Sequence, residues 1–156
     1  MNSDVSIRAT FGAEQLDAVR QLRYRVLREP IGLPFEATLF VGDELETTRH
    51  LIAMMDSHPI ACLTLLLPAS KQEPPSLQPV QLRGMAVLPS AQGKGVGSRL
   101  LAAVHTMASE SGWSLWCNAR QSAVPFYRGN GWRIDGPAFD IPPIGPHFQM
   151  RWEPCR

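Results

Sequence analysis

Gln92-Gly93-Lys94-Gly95-Val96-Gly97-Ser98 joins two stretches of different periodicity. Before it, Leu82-Arg83-Gly84-Met85-Ala86-Val87 is a largely apolar run that predicts a strand. After it, Val96, Leu100, Ala103, Val104, Met107 and Ala108 share one wide helical face, which predicts a helix from Val96 to about Ser111. A glycine-rich turn that opens a helix can aim several backbone N–H groups at one anion, and the helix dipole favours negative charge there. This stretch therefore predicts a seat for a phosphate-bearing ligand.

Working outward toward the N-terminus, Val80 to Val87 is the full extent of that strand, and Pro68 to Pro79, with four prolines, is a loop. His50 to Met55 and Pro59 to Leu67 flank Asp56-Ser57-His58 as a hairpin. The stretch Ile31 to Thr48 is a loop with room for a short helix. Its Glu36, Asp43, Glu44 and Glu46 read as a solvated face or, more sharply, as a lip that attracts a cationic amine. Ala13 to Arg28 carries Leu16, Val19, Leu22, Val26 and Leu27 at helical spacing and stops at Pro30, and Val5 to Thr10 is a first strand.

Toward the C-terminus, Gly112 ends the long helix, on which His105 lies opposite the apolar face, and Trp113 to Asn118 is a strand. Ser122 is positioned to cap a short helix from Ala123 to Arg128, closed by Gly129-Asn130-Gly131. Trp132 to Ile134 and Phe148 to Trp152 are closing strands around a Pro/Gly-rich loop. The order β-α-β-β-β-α-β-α-β-β is that of a mixed α/β or α+β domain.

At 156 residues, with 44% hydrophobic and 19% charged residues, the chain suits a single soluble domain over 1–156. A formal net charge of +1 gives no electrostatic case for nucleic acid or an anionic membrane as partner. Cys62, Cys117 and Cys155 show no metal-ligand spacing; two lie in strand-like apolar runs as buried thiols, which fits a reducing cytoplasm. Met1-Asn2-Ser3-Asp4-Val5 lacks the basic and apolar regions of a signal peptide, and the run Ile60 to Leu67 is too short to span a bilayer.

A Walker A loop requires Ser or Thr after Gly93-Lys94, where Gly95 stands, and glycine five positions before Gly93, where Leu88 stands. A GxGxxG fingerprint, whether of dinucleotide-binding or kinase type, fails at Ser98. What fits is Gln-x-x-Gly-x-Gly, from Gln92 through Gly95 to Gly97, between a strand and a helix. It resembles the pyrophosphate-binding motif of the GCN5-related N-acetyltransferase (GNAT) superfamily. A second block, Asn118-Ala119-Arg120-Gln121-Ser122-Ala123-Val124-Pro125-Phe126-Tyr127-Arg128-Gly129-Asn130-Gly131-Trp132, resembles that family's later motif, in the right order and at the right separation.

The resemblance implies a mixed, mostly antiparallel sheet with splayed central parallel strands flanked by helices, the acyl-CoA N-acyltransferase fold. It implies acetyl-CoA as co-substrate, an amine of a small molecule or protein as acceptor, direct transfer in a ternary complex, and no metal. The strand ending in Met85-Ala86-Val87 would pair with the pantetheine arm and polarise the thioester carbonyl through an N–H. The N–H groups of Gln92, Gly93, Lys94, Gly95, Val96, Gly97 and Ser98 would hold the pyrophosphate, with Lys94 adding charge. Asn118 and Phe126 would lie along the cofactor, and Tyr127 matches the tyrosine that protonates the departing thiolate. A homodimer is a further family-level expectation.

The chain departs from the family at the base: Gln81 stands where histone-type members carry a Glu. Glu36, Glu44, Glu46, His50, His147 and water remain as alternatives. Ile141 to Met150 resembles the Ile-Pro-His-x-x-Met ending of a small bacterial subgroup, and Leu22 to Arg28 resembles its first helix. Plainer readings stand beside these: a tight turn for the glycines, a core aromatic for Tyr127, a turn cap for Asn118, a loop histidine for His147. A non-catalytic acyl-CoA-binding or sensing module on the same fold is the alternative function, and a nucleotide-binding protein a weaker third.

Overall fold

The computed structural model of the protein describes residues 4–155. The fold is mixed: a mostly antiparallel sheet that includes one parallel strand pair, flanked by helices. Its contacts group into two compact units. One holds residues up to Leu66 together with Leu82–Ala102; the other holds Leu67–Gln81 and the residues from Ala103 on.

In the first unit, β1 (Val5–Phe11), β2 (Arg49–Met55) and β3 (His58–Leu66) form an antiparallel meander. Asp56 and Ser57 turn the β2–β3 hairpin with φ of 50° and 66°, the paired positive values that a two-residue type I′ turn requires. The predicted first helix is divided. α1 (Leu16–Arg23) is α-helical, a wider π-turn follows over Tyr24–Arg28, and a 3-10 turn covers Glu29–Ile31. Pro30 sits inside that last turn rather than at its end. A second 3-10 turn, Phe35–Thr38, is the short helix for which the sequence left room. Val19, Leu22, Leu51, Ile52, Leu63, Leu65, Leu82 and Leu100 make the core.

In the second unit, the first residues of β4 (Gln78–Val87) pair in parallel with β5 (Trp113–Arg120), from Gln78↔Trp113 to Gln81↔Trp116. The next strands follow after α3 (Val124–Gly129): β6 (Arg133–Ile134), β7 (Phe139–Ile141) and β8 (Gly145–Trp152), of which β8 pairs antiparallel with β5, β6 and β7. β7 and the first three residues of β8 lie outside the strands that the sequence predicts, because Pro142, Pro143 and Pro146 mask a hairpin there. His147 is consequently a strand residue, not a loop residue. The core here is Val80, Val104, Ala108, Trp113, Leu115, Trp132 and Met150.

The long helix, α2, spans Val96–Ser111 as its periodicity predicts, and Gly112 follows it at φ 72°. His105 is half-buried rather than facing water: its ring stacks on Trp152 at 4.0 Å, and its Nε2 accepts a hydrogen bond from Trp132 Nε1 at 3.0 Å. Ser122 does not cap the short helix. It lies within a 3-10 turn, Gln121–Ala123, and Ala123 holds the cap position without a side-chain bond. No helix among the described residues is long and apolar enough to cross a membrane.

Candidate functional site

The glycine turn belongs to the first unit. β4 ends at Val87, the Leu88 N–H donates to the Ile60 carbonyl at 2.9 Å, and a 3-10 turn over Pro89–Ala91 leads into Gln92. Gln92 fastens this turn from both its groups. Its backbone N–H donates to the Pro89 carbonyl, and its side-chain amide donates to the Val87 carbonyl at 2.9 Å. Gln92 therefore shapes the loop, and its backbone N–H is already engaged. Gly93 and Gly95 have φ of 74° and 79°, where a side chain is strained, and an added Cβ on either would meet nothing within 4 Å. Both glycines are needed for backbone direction, and the space above them is open. α2 begins at once with Val96, Gly97 and Ser98, whose N–H groups have no acceptor one turn earlier in the helix. Lys94 and Ser98 are exposed; Val96 is buried and anchors the turn. Met85 and Val87 are half-buried and Ala86 is buried in β4, continuous with the turn through the Gln92–Val87 bond. A helix N-terminus with open space above its glycines and no side chain in the way fits an anion such as a pyrophosphate.

The second unit holds the rest of the predicted set. Asn118 is exposed on β5, opposite Gln149 of β8, and is not a turn cap. Phe126 is half-buried and packs edge-on to Tyr127 at 5.3 Å. Tyr127 is 6% exposed, also packs against Trp132, and its hydroxyl is hydrogen-bonded to the Cys117 thiol. Burial first, then the Cys117 charge and hydrogen bond, raise the Tyr127 phenol well above its ordinary pKa of 10.0. Burial also pushes the Cys117 thiol up to about 12, against a lowering by Tyr127. Tyr127 is thus a protonated phenol across the physiological range. His147 is 4% exposed; its Nδ1 donates to the Gly145 carbonyl at 2.8 Å, which leaves Nε2 as the basic nitrogen of the neutral ring.

The largest surprise is polar and buried. Arg23 and His50 are 0% exposed and Asp43 is 1% exposed. Arg23 Nη1 donates to Asp43 Oδ2 and to the Thr38 carbonyl, each at 2.7 Å. Its Nη2 donates to Asp43 Oδ1 at 3.1 Å and to Thr64 Oγ1 at 2.7 Å. Arg83 Nη2 reaches the same carboxylate at 3.1 Å and also donates to the Val41 carbonyl. Phe40 lies under the Arg23 guanidinium at 4.0 Å and gives its N–H to Asp43 Oδ2. Burial raises the Asp43 carboxyl, but the Arg23 hydrogen bond and charge, the Phe40 N–H and Arg83 outweigh it and hold it below its ordinary 3.8.

His50 closes the network. Its Nε2 faces two carbonyls, Gly12 and Asp43, each at 3.0 Å, so Nε2 carries the proton. Its Nδ1 then accepts from Thr64 Oγ1 at 2.8 Å. Burial lowers its pKa from 6.5, and the neighbouring Arg23 adds to that. With both nitrogens engaged and no exposure, His50 cannot take a proton from an acceptor and leaves the set of candidate bases. Asp43 is likewise not part of a solvated acidic face, whereas Glu36, Glu44 and Glu46 are exposed. One sequence signal for this network existed: Arg23 follows Val19 by four residues on the buried stripe of α1, and an arginine there demands a buried partner.

Gly84 shows how tightly the network is enclosed. It sits in β4 at φ 62°, and an added Cβ would come within 2.8 Å of Arg23 Nε and 3.0 Å of Phe40.

Comparison with known proteins agrees with this architecture. The family described as "Acetyltransferase (GNAT) domain" matches residues 46–134. The chain is 32% identical over 131 residues to YitI of Bacillus subtilis (strain 168), an uncharacterized N-acetyltransferase, covering 83% of this chain and 86% of that one. Among solved structures, Escherichia coli ElaA superimposes with a TM-score of 0.78 at 19% identity, covering 96% of this chain and all of its own. An aminoglycoside 6'-N-acetyltransferase complexed with coenzyme A superimposes with a TM-score of 0.68 at 12% identity, over 93% of this chain and 96% of that one. The chain belongs to the GNAT family of acetyltransferases and is an acyltransferase enzyme.

Proposed function

We propose that this protein, acting as one domain over 1–156, transfers an acetyl group from acetyl-CoA to an amine of a small molecule or protein within a ternary complex. The observation that carries this reading is the turn at Gly93 and Gly95: two left-handed residues with open space above them, at the N-terminus of the sixteen-residue α2. A coenzyme A seen in a structural neighbour supports the choice of ligand. The cytoplasm is the proposed compartment, in keeping with three cysteines that are all free.

In this reading the N–H groups from Gly93 to Ser98 bind the pyrophosphate, Lys94 adds positive charge, and Gln92 keeps the turn in shape. The backbone of Met85, Ala86 and Val87 pairs with the pantetheine arm and supplies an N–H to the thioester carbonyl, where charge develops. Asn118 and Phe126 line the cofactor. As the C–N bond forms and the C–S bond breaks, Tyr127 donates a proton to the departing sulfur. The amine proton leaves to an exposed carboxylate among Glu36, Glu44 and Glu46, to His147 Nε2, or to water.

Calorimetry with acetyl-CoA, CoA, ATP and NAD tests the cofactor. Selective acetyl-CoA binding that disappears in Gly95→Trp is expected; equal or better binding of ATP or NAD sinks the reading. Turnover tests Tyr127: Tyr127→Phe is expected to lower kcat about a hundredfold or more with acetyl-CoA affinity retained. An undiminished kcat removes the proton-donor role.

A further inference from the structure

Tyr127 is held by its hydroxyl, its carbonyl and its ring, and the hold on the ring leads to a titratable group. The hydroxyl is bonded to the Cys117 thiol. The carbonyl accepts the N–H groups of Asn130 and Trp132, each at 3.0 Å, which folds the chain after α3 back over its last turn. The ring meets the Trp132 indole edge-on at 5.1 Å. Trp132 is 3% exposed, and a buried indole N–H needs an acceptor. That acceptor is His105 Nε2 at 3.0 Å. His105 in turn stacks on Trp152 at 4.0 Å, with the two planes 3° apart. The contacts run Trp152, His105, Trp132, Tyr127, and all four residues lie in the second unit.

The link at His105 works in one protonation state only. An imidazole nitrogen that accepts a hydrogen bond carries no proton, so the neutral ring has its hydrogen on Nδ1. A second proton would go to Nε2 and set one N–H against another. The bond would be lost, and the buried indole would be left without its acceptor. Burial lowers the His105 pKa from 6.5, so the link is intact at neutral pH and is lost only below pH 6.5. The charged groups of the packed elements are exposed or engaged elsewhere. On α2, Arg99 donates to the Val5 carbonyl and Glu110 is exposed. On α3, Arg128 is exposed. Beside the two indoles, Arg133 pairs with Glu153 and Arg151 with Asp135, and on β8 His147 is bonded to the Gly145 carbonyl. Cys117 and Tyr127 are both pushed up, so neither titrates on the acid side.

We infer, on the reading above that Tyr127 protonates the departing sulfur, that His105 is a positioning residue for the transfer step: its neutral ring holds Trp132 by the indole N–H, Trp132 holds the Tyr127 ring, and protonation of His105 releases both. A donor displaced by about 1 Å from its partner atom loses much of its effect.

The full-length protein, with isotope-labelled tyrosine, histidine and tryptophan, is titrated from pH 8 to pH 5 by NMR. Tyr24 and Tyr127 are the two tyrosines of the chain, and Tyr24, in the first unit, is the internal control. At pH 8 the His105 ring is expected as the Nδ1–H tautomer. As it gains its second proton, the Trp132 indole and the Tyr127 ring are expected to shift with the same midpoint while Tyr24 stays fixed. His105→Gln keeps an oxygen for the indole N–H but does not titrate, and Trp132→Phe lacks that N–H; in both, the Tyr127 signal is expected to stay flat. Turnover of acetyl-CoA with 2-phenylethylamine is the second readout. The kcat of His105→Gln is expected to match the wild type at pH 7.5 and to exceed it about twofold at pH 5, whereas His105→Leu falls about tenfold at pH 7.5, with KM for acetyl-CoA unchanged in both. A His105 that carries its neutral proton on Nε2, or stays neutral down to pH 5, overturns the inference. So does a Tyr127 ring that ignores the His105 titration, or a His105→Leu protein that equals His105→Gln in kcat. An undiminished kcat in Tyr127→Phe overturns the proton-donor reading instead, and the NMR titration then still decides whether His105 and Trp132 hold the ring. It decides alone if 2-phenylethylamine is not turned over.

Discussion

Two loops of the first unit invite comparison. The turn at Gln92 to Gly95 is built from its own residues: two glycines in left-handed conformations, one glutamine folded back on the strand it leaves, and a helix start. The loop from Leu39 to Thr48 is built from partners far away in sequence: Arg23 twenty residues earlier, Thr64 and Arg83 later, and His50 in β2. The first loop is open above and obeys local backbone rules. The second closes local turns of its own but is also clamped beneath by partners that no short window of sequence contains. A turn made by main-chain angles is written in its own residues, whereas a loop held by buried side chains needs a scaffold built elsewhere in the chain.

The sharpest way to break this contrast is Arg23→Ala. Removing one partner leaves the Asp43 carboxylate and the Thr64 hydroxyl buried with fewer bonds, so stability is expected to fall by about 3–5 kcal/mol. Denaturant unfolding measures it, and a loss under about 1 kcal/mol would mean that the network does not hold the loop. Gly84→Ala comes next. It combines positive φ with a Cβ driven into Arg23 and Phe40, and a loss of about 2 kcal/mol or more is expected. Gly93→Ala has the same backbone strain without the collision, so about 1–2 kcal/mol is expected, visible as a modest drop in midpoint. Equal losses at Gly84 and Gly93 would erase the distinction between a clamped and an open glycine.

The gentlest probe is pH. The folded pKa of His50 lies below its unfolded 6.5, so between the two values the unfolded chain holds a proton that the folded chain lacks. The His50 contribution is complete above pH 6.5 and is lost as pH falls below it. His105, lowered by burial, acts in the same direction, and Asp43 adds a further loss below 3.8. His50→Gln is therefore expected to flatten, not abolish, the fall in unfolding midpoint between pH 7 and pH 5. An unchanged slope would show that His50 already titrates normally.

Much of the fold was legible because it follows local periodicity. α2 matches its apolar stripe from Val96 to Ser111, and the hairpin follows from the short polar stretch Asp56-Ser57-His58 between two apolar runs, with His58 joining the second strand. The bend at Gly93 and Gly95 was legible from its glycines, which stand at φ of 74° and 79°. β7 was not, since its three residues pair with β8 across a proline-rich stretch whose composition reads as a loop. Asp43 and Arg23 were hidden differently. Arg23 stands on the buried stripe of α1 and so calls for a buried partner, but nothing local to Asp43 marks it as that partner twenty residues on. His105 was misplaced because the helical wheel shows its own helix but not the Trp152 ring that covers it.

The cysteines carry a practical consequence. Cys62 and Cys117 are enclosed, with thiols pushed up to about 12, so at neutral pH they hold almost no nucleophilic thiolate and offer a reagent no approach. Cys155 is exposed. A native sample treated with a disulfide dye should release one equivalent of chromophore, and a second and third only on denaturation. The protein thus arrives with a single address for a fluorophore or spin label, and every thiol-release assay on it starts from a known, constant blank.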